Sequence, residues 1–493
     1  MLYLNKLKSA KTKNKTVEFS LIPKDLAWND FKQGKGQIIY NFLKNKSGLK
    51  SGMGFEKLAA SVDRENINDE VVLNLKGTQV KGLYQLIWHD NSSSLVSYYI
   101  FYFNENKQIC YDSLYERRLI PSTIPNNFTD VPVALPYKKN NIEYLIFSGN
   151  GSSIIVGNAG YSTLENVPSM KSCVNHYGKF FAITNSTQPK LVYSSNVDVE
   201  SWTDSQVKNL DFNDERGELQ KLVSFNDYIY IFRSFGITQL SVYSSSGEFS
   251  ISHMYRAGAY INPNTVVEYG DKIYFVEDGK LREFNGNSVK DIDVKSYSLM
   301  KGQNNLHLFG ACHNGKYFLA CRCDFGDDET IGCESYSGGY TNNALISYDL
   351  ENGDEEIMRG VDINELMNYV TPFKSKLLAS FRNQHIDKIG QLTNDGKLFG
   401  TSLKGKFETT STDFGSKDSV KILTKITYKF KGTATCLIVS DRASKTFTLK
   451  GNGNAKTKRL SMTGKEFKFV LYGEGSDIML NDFVATAKVR DEN

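Results

Sequence analysis

The chain has 493 residues, 59 of them basic and 55 acidic, so its formal net charge at pH 7 is +4. This near balance argues against a dedicated nucleic-acid binder, which would carry a clear basic excess. The mean hydropathy is −0.39, and no stretch approaches the roughly 18 consecutive apolar residues of a transmembrane helix. The first residues lack the apolar segment of a secretory signal, so we expect neither a membrane span nor a Sec signal.

Residues 1–60 are predicted to form an extended N-terminal arm that crosses the body of the protein and feeds its first strand. Lysine-rich polar sequence occupies the start of the arm, and a turn-rich stretch at 46–55 ends it. Gly52 and Gly54 flank a single residue there. Glycines in such an arrangement usually allow a positive φ or a close approach of two backbone segments.

Residues 61–403 are predicted to form a β-propeller, because one phrase repeats along them. It is an aromatic and β-branched strand, an Asn/Asp/Gly turn and a second strand, at 223–232, 267–276 and 311–320, with a looser copy at 172–183. The first three copies start 44 residues apart, a spacing that fits a four-stranded propeller blade. At about 45 to 50 residues per blade, the segment predicts six or seven blades.

The sequence pattern changes at residue 404, and residues 404–493 are predicted to form a C-terminal β-sandwich. After a polar segment rich in Gly, Ser and Thr, six or more short runs alternate apolar and polar residues. Ile422, Thr424, Ile426 and Tyr428, for example, share one face of a strand, because side chains alternate with a period of two. Short strands at this density are typical of a small sandwich. The predicted fold class is therefore all-β, with an arm, a six- or seven-bladed propeller and a sandwich.

Seven cysteines bear on redox state and metal binding. Their odd number, without a signal peptide, indicates reduced thiols. Cys321 and Cys323, with Cys312 and Cys333 nearby, admit a metal cluster, but the spacing fits no familiar zinc pattern. The alternative is that they are small buried apolar residues. The acidic segment 324–329 is either a Ca²⁺ loop or an exposed loop. We predict no metal site and no cofactor.

A glycosidase built on this fold would need two carboxylates that face one cavity. The candidates are Asp211, Asp214, Glu215, Glu277, Asp278, Asp291 and Asp293. They lie in turn contexts, where Asp is an ordinary residue. The phrase that ends at Trp202 is the nearest to a sialidase Asp box, but it lacks the glycine and occurs once. Nucleotide-loop, Gly-x-Ser-x-Gly and His-Glu-x-x-His motifs are absent from the sequence. We predict no catalytic residue and no enzyme activity.

Three phrases in order resemble those of a known family. They are Gly52-Met-Gly-Phe55 at the end of the arm, Tyr193-Ser-Ser-Asn196 with Trp202, and the blade repeat Phe225-Asn-Asp-Tyr-Ile-Tyr-Ile-Phe232. Together they resemble the tail β-propeller proteins of bacteriophages, which include the neck and nozzle proteins of short-tailed phages, also called packaged-DNA stabilisation proteins. The resemblance covers roughly residues 40–400.

The resemblance implies a virion structural protein of a phage tail or neck, made in the host cytoplasm. Copies of the chain would form a homo-oligomeric ring that joins the portal, adaptor or other tail proteins. Double-stranded DNA would be retained and ejected through the ring without sequence specificity. A closed ring needs a heterologous interface. Lys404, Lys406, Lys456 and Lys458 are the residues expected to face DNA or a neighbouring subunit.

Two other functions stay open at this point. One is a carbohydrate-binding or carbohydrate-cleaving propeller, such as a receptor-binding tail protein, which a deep central pocket with paired carboxylates would favour. The other is a host scaffold propeller of WD40 or Kelch type. The lack of repeated Trp-Asp and Gly-Gly signatures counts against that scaffold.

Overall fold

The structure is a computed structural model that describes residues 12–20, 38–45, 48–58, 78–89, 96–113, 123–157, 160–195, 198–204, 212–243, 248–300, 307–325, 341–370, 375–383, 385–474 and 478–490. It confirms the all-β class, with a seven-bladed β-propeller and a second, nearly closed sheet. Two short 3-10 helices, Pro263–Thr265 and Lys295–Leu299, lie between blades. Within the described ranges, no helix has the length and apolar character needed to cross a bilayer.

In the described part of the chain, five strands precede the first blade, and they join two different sheets. They are β1 (Thr12–Ser20), β2 (Ile38–Tyr40), β3 (Phe42–Asn45), β4 (Gly48–Ser51) and β5 (Gly54–Lys57).

Blades 1 to 6 are four-stranded antiparallel sheets built from consecutive strands. Blade 1 has β6 (Val80–His89), β7 (Val96–Asn104), β8 (Ile109–Ser113) and β9 (Thr123–Ile124). Blade 2 has β10 (Val133–Lys139), β11 (Ile142–Ser148), β12 (Ser153–Gly157) and β13 (Gly160–Leu164). Blade 3 has β14 (Met170–His176), β15 (Lys179–Thr184), β16 (Leu191–Ser195) and β17 (Asp198–Asp204).

The next three blades repeat this plan. Blade 4 has β18 (Leu219–Phe225), β19 (Tyr228–Arg233), β20 (Gly236–Tyr243) and β21 (Glu248–Arg256). Blade 5 has β22 (Val267–Tyr269), β23 (Lys272–Glu277), β24 (Lys280–Phe284) and β25 (Val289–Ile292). Blade 6 has β26 (Phe309–His313), β27 (Lys316–Cys321), β28 (Ala344–Asp349) and β29 (Glu355–Arg359).

The repeated phrase marks the turn between the first two strands of a blade. In blade 4 the turn residues Asn226 and Asp227 have φ of 47° and 65°, and in blade 6 Asn314 and Gly315 have φ of 46° and 75°. A two-residue turn with both φ positive matches the twist of the flanking strands, and Asn, Asp and Gly adopt that conformation most easily. The Asn/Asp/Gly signal in the sequence therefore has a direct conformational cause.

Blade 7 is closed by the N-terminal segment. Its strands β30 (Ile363–Val370), β31 (Ser375–Phe381) and β32 (Ile389–Thr393) are followed in the sheet by β5, then by β33 (Lys397–Leu398) and β34 (Thr401–Ser402). β5 pairs antiparallel with β32. A strand from near the start of the chain thus completes the last blade, and the chain then continues into blade 1.

The second sheet has nine strands and combines both ends of the chain. Its path is β2, β35 (Lys404–Glu408), β38 (Phe467–Glu474), β36 (Lys421–Ser440), β39 (Met479–Arg490), β4 and β3. β1 pairs with β39, and β37 (Ser444–Gly464) pairs with β36. The outermost strands of the path, β2 and β3, are separated in sequence by Asn41 alone, so the sheet nearly closes on itself.

The observed pairing differs from the expected boundary at residue 61, whereas the last propeller strand is β34 and the second sheet takes up the chain again with β35 at Lys404. The arm expected at 1–60 contributes β1 to β4 to the C-terminal sheet and β5 to the propeller. The C-terminal sheet uses two strands of 20 and 21 residues where the alternation suggested several short ones. Residues 1–11 and 21–37 of the expected arm lie outside the described residues.

Close backbone approach explains the two glycines of the arm. A Cβ on Gly52 would lie 2.6 Å from the carbonyl carbon of Asn41, and one on Gly54 would lie 2.3 Å from the carbonyl oxygen of Lys397. Neither glycine is among the residues with positive φ. Of the two reasons expected from the sequence, close approach is the one that applies.

Asn41 joins the propeller to the nine-stranded sheet. It is 3% exposed and has φ of 56°. Its amide Nδ2 donates to the carbonyl oxygens of Arg359 and Lys404, at 3.0 Å each, and its Oδ1 accepts from the Arg359 N–H at 2.7 Å. Its backbone N–H donates to Ile357 and its carbonyl accepts from Gly52. One buried side chain therefore holds blade 6, β35 and the arm in register.

The hydrophobic core is divided in the same way as the sheets. Neighbouring blades pack face to face, as where Tyr274 of blade 5 meets Tyr317 of blade 6 within one buried cluster. The nine-stranded sheet has its own core, in which the rings of Phe430 and Phe469 both pack on Phe483. Burial of such aromatic side chains is the main stabilising contribution in both bodies.

Candidate polyanion interface and propeller channel

Positive charge is concentrated in the hairpin of β36 and β37. Residues 421–464 contain ten basic residues and one acidic residue, Asp441. The hairpin therefore carries net +9, whereas the whole chain carries +4, so all other residues together are net negative. The overall balance that argued against nucleic-acid binding conceals this local excess.

The outward side of the nine-stranded sheet, which we call the basic face, carries seven exposed cations among the side chains that the structure describes. They are Lys50, Lys425, Lys429, Lys431, Lys450, Arg459 and Lys488. The strand register places them on one side, since the residues that alternate with them in β36 and β39 belong to the buried core. Asp482, opposite Lys429, is an acidic residue on that side. The ion pairs between described residues include none of the seven cations.

Two cations of the basic face lie directly opposite each other. Lys425 of β36 is the cross-strand partner of Arg459 of β37. Like charges in directly opposite positions of an antiparallel pair destabilise the sheet. A bound anion between them removes this repulsion, so the pair is suited to a phosphate or another strong anion.

The hairpin offers charge and hydroxyl groups but no exposed stacking surface. Its three aromatic residues, Tyr428, Phe430 and Phe447, belong to the core of the sheet or pack against it. Its outward positions between the cations are held largely by threonine, as at Thr427 and Thr457. At about 3.3 Å per residue, β36 extends for roughly 66 Å. A row of cations along a long strand fits the backbone of an extended polyanion.

The four lysines expected to face DNA or a neighbouring subunit lie in different environments. Lys406 is 4% exposed, and its Nζ pairs with Glu408 at 2.7 Å. Lys404 is half-buried, with Nζ 4.9 Å from the centroid of the Tyr472 ring. Lys456 and Lys458 are exposed on β37. They lie opposite Tyr428 and Ile426, on the other side of the ribbon from Arg459.

Burial explains why Lys406 is unsuited to contact DNA. All strand neighbours on β35 from Gly405 to Glu408 are buried, because β2 and β38 cover the strand on both edges. The Lys406 ammonium also lies 5.9 Å from the ring centroid of Tyr40. Its carboxylate and aromatic contacts give Lys406 a structural role at the junction of sheet and propeller. The cations suited to DNA are those of the basic face, which period-two alternation alone did not identify.

The second candidate site is a cavity on the propeller axis. It has a volume of about 710 Å³ and is lined by the first strands of blades 2 to 7. Most of the lining is apolar, as at Leu222 and Val266, and polar groups come from Asn175, Ser224 and Asn368. A volume of this size suits a small organic ligand.

Lys221 is the cation of this cavity. Its Nζ donates to the Val266 carbonyl at 2.7 Å, and burial lowers the pKa of Lys221 to about 8. The acidic residue of the cavity lining is Glu268, whose pKa burial raises. Lys221 and Glu268 do not form an ion pair with each other. The cavity therefore holds a cation and a carboxyl group that lie apart.

Two histidines fasten neighbouring blades beside the cavity. The Nδ1 of His176 lies 2.8 Å from the Ser224 hydroxyl, and that of His313 lies 3.0 Å from the amide oxygen of Asn368. Burial lowers the pKa of both imidazoles, so both are neutral at pH 7. Their contacts fix the side chains of Ser224 and Asn368 in the cavity wall.

The carboxylates that a glycosidase would need are occupied elsewhere. Asp214 pairs with the buried Arg233 at 2.8 Å. Glu277 is 2% exposed and accepts from the Tyr255 hydroxyl and the Gly258 N–H. Asp291 pairs with Arg282. None of the described candidates lines the axial cavity, and Asp211 lies outside the described residues.

The cysteines in the described chain are free and largely buried. The Sγ atoms of Cys321 and Cys323 are 3.6 Å apart, and burial raises the pKa of Cys312 to about 12. Among the described residues, no group of three or more potential ligands could hold a metal ion. Cys333 and residues 326–329 of the acidic segment lie outside that part of the chain.

The comparisons with known proteins bear on the fold. No family model matches the sequence, and no curated protein matches it. The structure is similar to the extracellular domain of a one-component system from B. thetaiotaomicron, with 10% identity and a TM-score of 0.40, covering 90% of this chain and 61% of that one. The chain thus spans about three fifths of that structure. Similarity at this identity concerns the fold alone.

Two glycoside hydrolases are also among the matching structures. An ancestral GH74 enzyme has 9% identity and a TM-score of 0.41, covering 64% of this chain and 48% of that one. An exo-β-1,3-galactanase from Phanerochaete chrysosporium has 8% identity and a TM-score of 0.24, covering 66% and 96%. The prediction that the chain is not an enzyme is corrected by this finding, because the similar structures include enzymes.

Proposed function

We propose that this chain is a structural protein of a bacteriophage tail or neck, and that its basic face contacts the backbone of double-stranded DNA. The observation that carries the proposal is the net +9 of residues 421–464, with its exposed cations on one side of a sheet. The phrases at 52–55, 193–202 and 225–232 support the phage assignment. The chain is then a virion component made in the host cytoplasm.

Duplex DNA is the polyanion that the basic face suits best. Lysine and arginine bind phosphates and release counterions, and such contacts carry no sequence information. Proteins that bind single strands without sequence preference add aromatic side chains on which bases stack. The aromatic residues of the hairpin are committed to the core. The rigid, extended face therefore favours a regular duplex over a flexible single strand.

The DNA contact is tested by the affinity of the protein for a fluorescein-labelled 30-base-pair duplex. We expect the triple variant K425Q/K429Q/R459Q to bind at least about 100-fold more weakly at 0.1 M salt, because each lost phosphate contact costs roughly tenfold there. The matched control K139Q/K280Q/K290Q removes the same charge from exposed positions of the propeller. Equal loss in both variants, or no loss in either, would refute a role for the basic face.

The proposal includes assembly into a homo-oligomeric ring that joins the portal, adaptor or other tail proteins. Ring closure by rotation needs two different complementary surfaces on each copy. Mass photometry and electron microscopy of the chain, alone and with portal-complex components, test this part. Closed rings or incorporation beneath the portal support it. A chain that stays monomeric at high concentration and is missing from virus particles would contradict it.

A second function, carbohydrate binding, is favoured by the axial cavity. Amide and hydroxyl groups at Asn175, Ser224 and Asn368 converge on a volume of about 710 Å³, and such groups hydrogen-bond sugar hydroxyls. This is the role of a receptor-binding tail protein. A glycan array probed with the wild-type protein and with N175A/N368A tests it. Binding of a glycan that the variant loses supports this function, and an array without any bound glycan counts against it.

A further inference from the structure

We propose that the axial cavity binds a small polyhydroxylated anion, an acidic sugar, whose carboxylate pairs with Lys221. The inference rests on the second proposed function, carbohydrate binding, and is independent of the DNA contact. It narrows the ligand from sugars in general to those that bear a negative charge.

The Lys221 ammonium has one hydrogen-bond acceptor among the described residues of the protein. An ammonium group has three N–H donors, and the Val266 carbonyl accepts one of them at 2.7 Å. A cation withdrawn from water is costly unless a counter-charge or further hydrogen bonds compensate it. Lys221 lies in the wall of an open cavity, so a ligand carboxylate can supply both.

The other charged group of the cavity lies at a different level along the axis. Ser224 precedes the turn of blade 4 by two residues, and Glu268 holds the same place before the turn of blade 5. The Lys221 ammonium lies at the Val266 carbonyl, two residues before Glu268 in the chain, so the two levels differ by about 7 Å. The cavity therefore separates an anion-binding end from an end with acceptor and amide groups.

The second end matches hydroxyl groups rather than another charge. Glu268 accepts hydrogen bonds, and the amide nitrogens of Asn175 and Asn368 donate them, while the amide oxygens already accept from Gly178 and His313. The histidine contacts hold Ser224 and Asn368 in place. A ring with several hydroxyls and one carboxylate satisfies both ends, whereas a neutral sugar leaves the ammonium unpaired. The phosphate group of a sugar phosphate would pair with the Lys221 ammonium in the same way as a carboxylate.

The test measures binding of D-glucuronate, D-glucose, D-glucose 6-phosphate and acetate by calorimetry and by ligand-observed NMR. We expect glucuronate to bind the wild type at least about tenfold more tightly than glucose or acetate, the effect of one charge-assisted hydrogen bond. If glucose 6-phosphate bound more tightly than glucuronate, the carboxylate assignment would be overturned and the ligand of the site would be a phosphorylated sugar. Equal binding of glucose and glucuronate would overturn the inference and leave carbohydrate binding standing; no binding at all would overturn both.

Two variants locate the anion. K221M should lose the preference for glucuronate over glucose. The matched control K171M should keep it, because Lys171 lies on the neighbouring first strand, donates to Gln220 and is not in the cavity lining. Retention of the preference in K221M would overturn the assignment of Lys221.

A pH titration of the wild type tests Lys221 without any substitution. With the pKa of Lys221 at about 8, glucuronate affinity should fall about tenfold between pH 7 and pH 9. The other titratable groups of the lining are Glu268, Cys173, Tyr269 and Cys312. Burial raises the pKa of both thiols, to about 12 for Cys312, so they stay neutral in this range. Affinity that is constant from pH 7 to pH 9 would contradict the proposal.

Discussion

Asn41 is a buried polar residue that bridges the junction between propeller and sheet. Its positive φ is tolerated because Asn adopts the left-handed region more readily than other residues with a Cβ. Its amide then faces Arg359 and Lys404 at the point where β2 continues into β3. In the sequence, Tyr-Asn-Phe is an unremarkable tripeptide within an apolar run, so neither the turn nor its partners could be predicted.

We predict that N41A lowers the free energy of unfolding by about 3 kcal/mol or more, since it strands a buried N–H and two carbonyl oxygens and keeps a strained φ. Asn140 provides the control, because it also has a positive φ, of 51°, but lies exposed in a hairpin turn. N140A should cost about 1 kcal/mol, the strain alone. Denaturant unfolding of both variants measures the difference, and equal effects would disprove the bridging role.

Glu365 makes the stability of the propeller depend on pH. It lies between blades 7 and 1, where its carboxyl accepts from the Leu83 N–H at 2.8 Å, and burial raises the pKa of Glu365 to about 8. The unfolded chain releases this proton near pH 4.5, whereas the folded chain keeps it up to about pH 8. Stability is therefore lost as the pH rises through this window and is fully present below it.

We predict that E365Q removes most of the loss of stability at high pH. Glutamine keeps an oxygen acceptor for Leu83 but has no proton to release. At pH 9 the variant should be more stable than the wild type by roughly 2 to 5 kcal/mol, and at pH 4 the two should agree closely. Thermal melts at both pH values measure this. If the difference in stability between the wild type and E365Q did not change with pH, the role of Glu365 would be contradicted.

At the scale of elements, β5 is the strand that closes the propeller. It pairs with β32, and Phe55 within it is 1% exposed and meets Phe381 edge to face at 5.5 Å. Gly54 must lack a Cβ, because the carbonyl oxygen of Lys397 would lie 2.3 Å from it. The closure therefore depends on one small residue and one large one in adjacent positions.

We predict that G54A opens blade 7 without unfolding the opposite side of the propeller. Amide hydrogen exchange should accelerate in β32 and stay unchanged in β15 of blade 3. G258A is the control, since a Cβ there meets only a Glu277 oxygen at 3.9 Å, and it should leave both strands protected. Unchanged protection of β32 in G54A would show that β5 does not control closure.

The blades could be predicted because their signal is local. A turn such as 226–227 requires residues that tolerate positive φ, so the sequence must carry Asn, Asp or Gly at regular intervals. The nine-stranded sheet could not be predicted in this way, because its pairing is non-local: Thr12 of β1 lies opposite Arg490 of β39. No local pattern specifies a partner at that separation in sequence.

The candidate site was predicted in part, for a related reason. The hairpin that contains Lys456 and Lys458 carries net +9, which the sequence shows directly. The side of the ribbon that each cation occupies depends on irregularities at 423–425 and 429–431, where the register between β36 and β37 shifts. Each shift changes which residues share a face. Simple alternation therefore could not assign Lys425, Lys429 and Arg459 to one side.

At the scale of the whole molecule, charge is segregated between the two bodies. The hairpin of the sheet carries net +9 within a chain of net +4, while the propeller provides rigidity, few free strand edges and a neutral-to-acidic body. A free edge as long as β37 would invite pairing with another chain, and its lysines oppose this. The same charges suit a face that receives DNA but does not pair with a second copy of itself.

The most direct test of the central claim is the salt dependence of duplex binding. For a protein that neutralises Z phosphates, the logarithm of the binding constant falls with the logarithm of salt concentration with a slope of about −0.9Z. With five to seven contacts from the basic face, we predict a wild-type slope of about −5 and a slope for K425Q/K429Q/R459Q that is smaller in magnitude by about 2.7. A wild-type slope near zero, or the same slope in both proteins, would contradict the claim that the basic face contacts DNA.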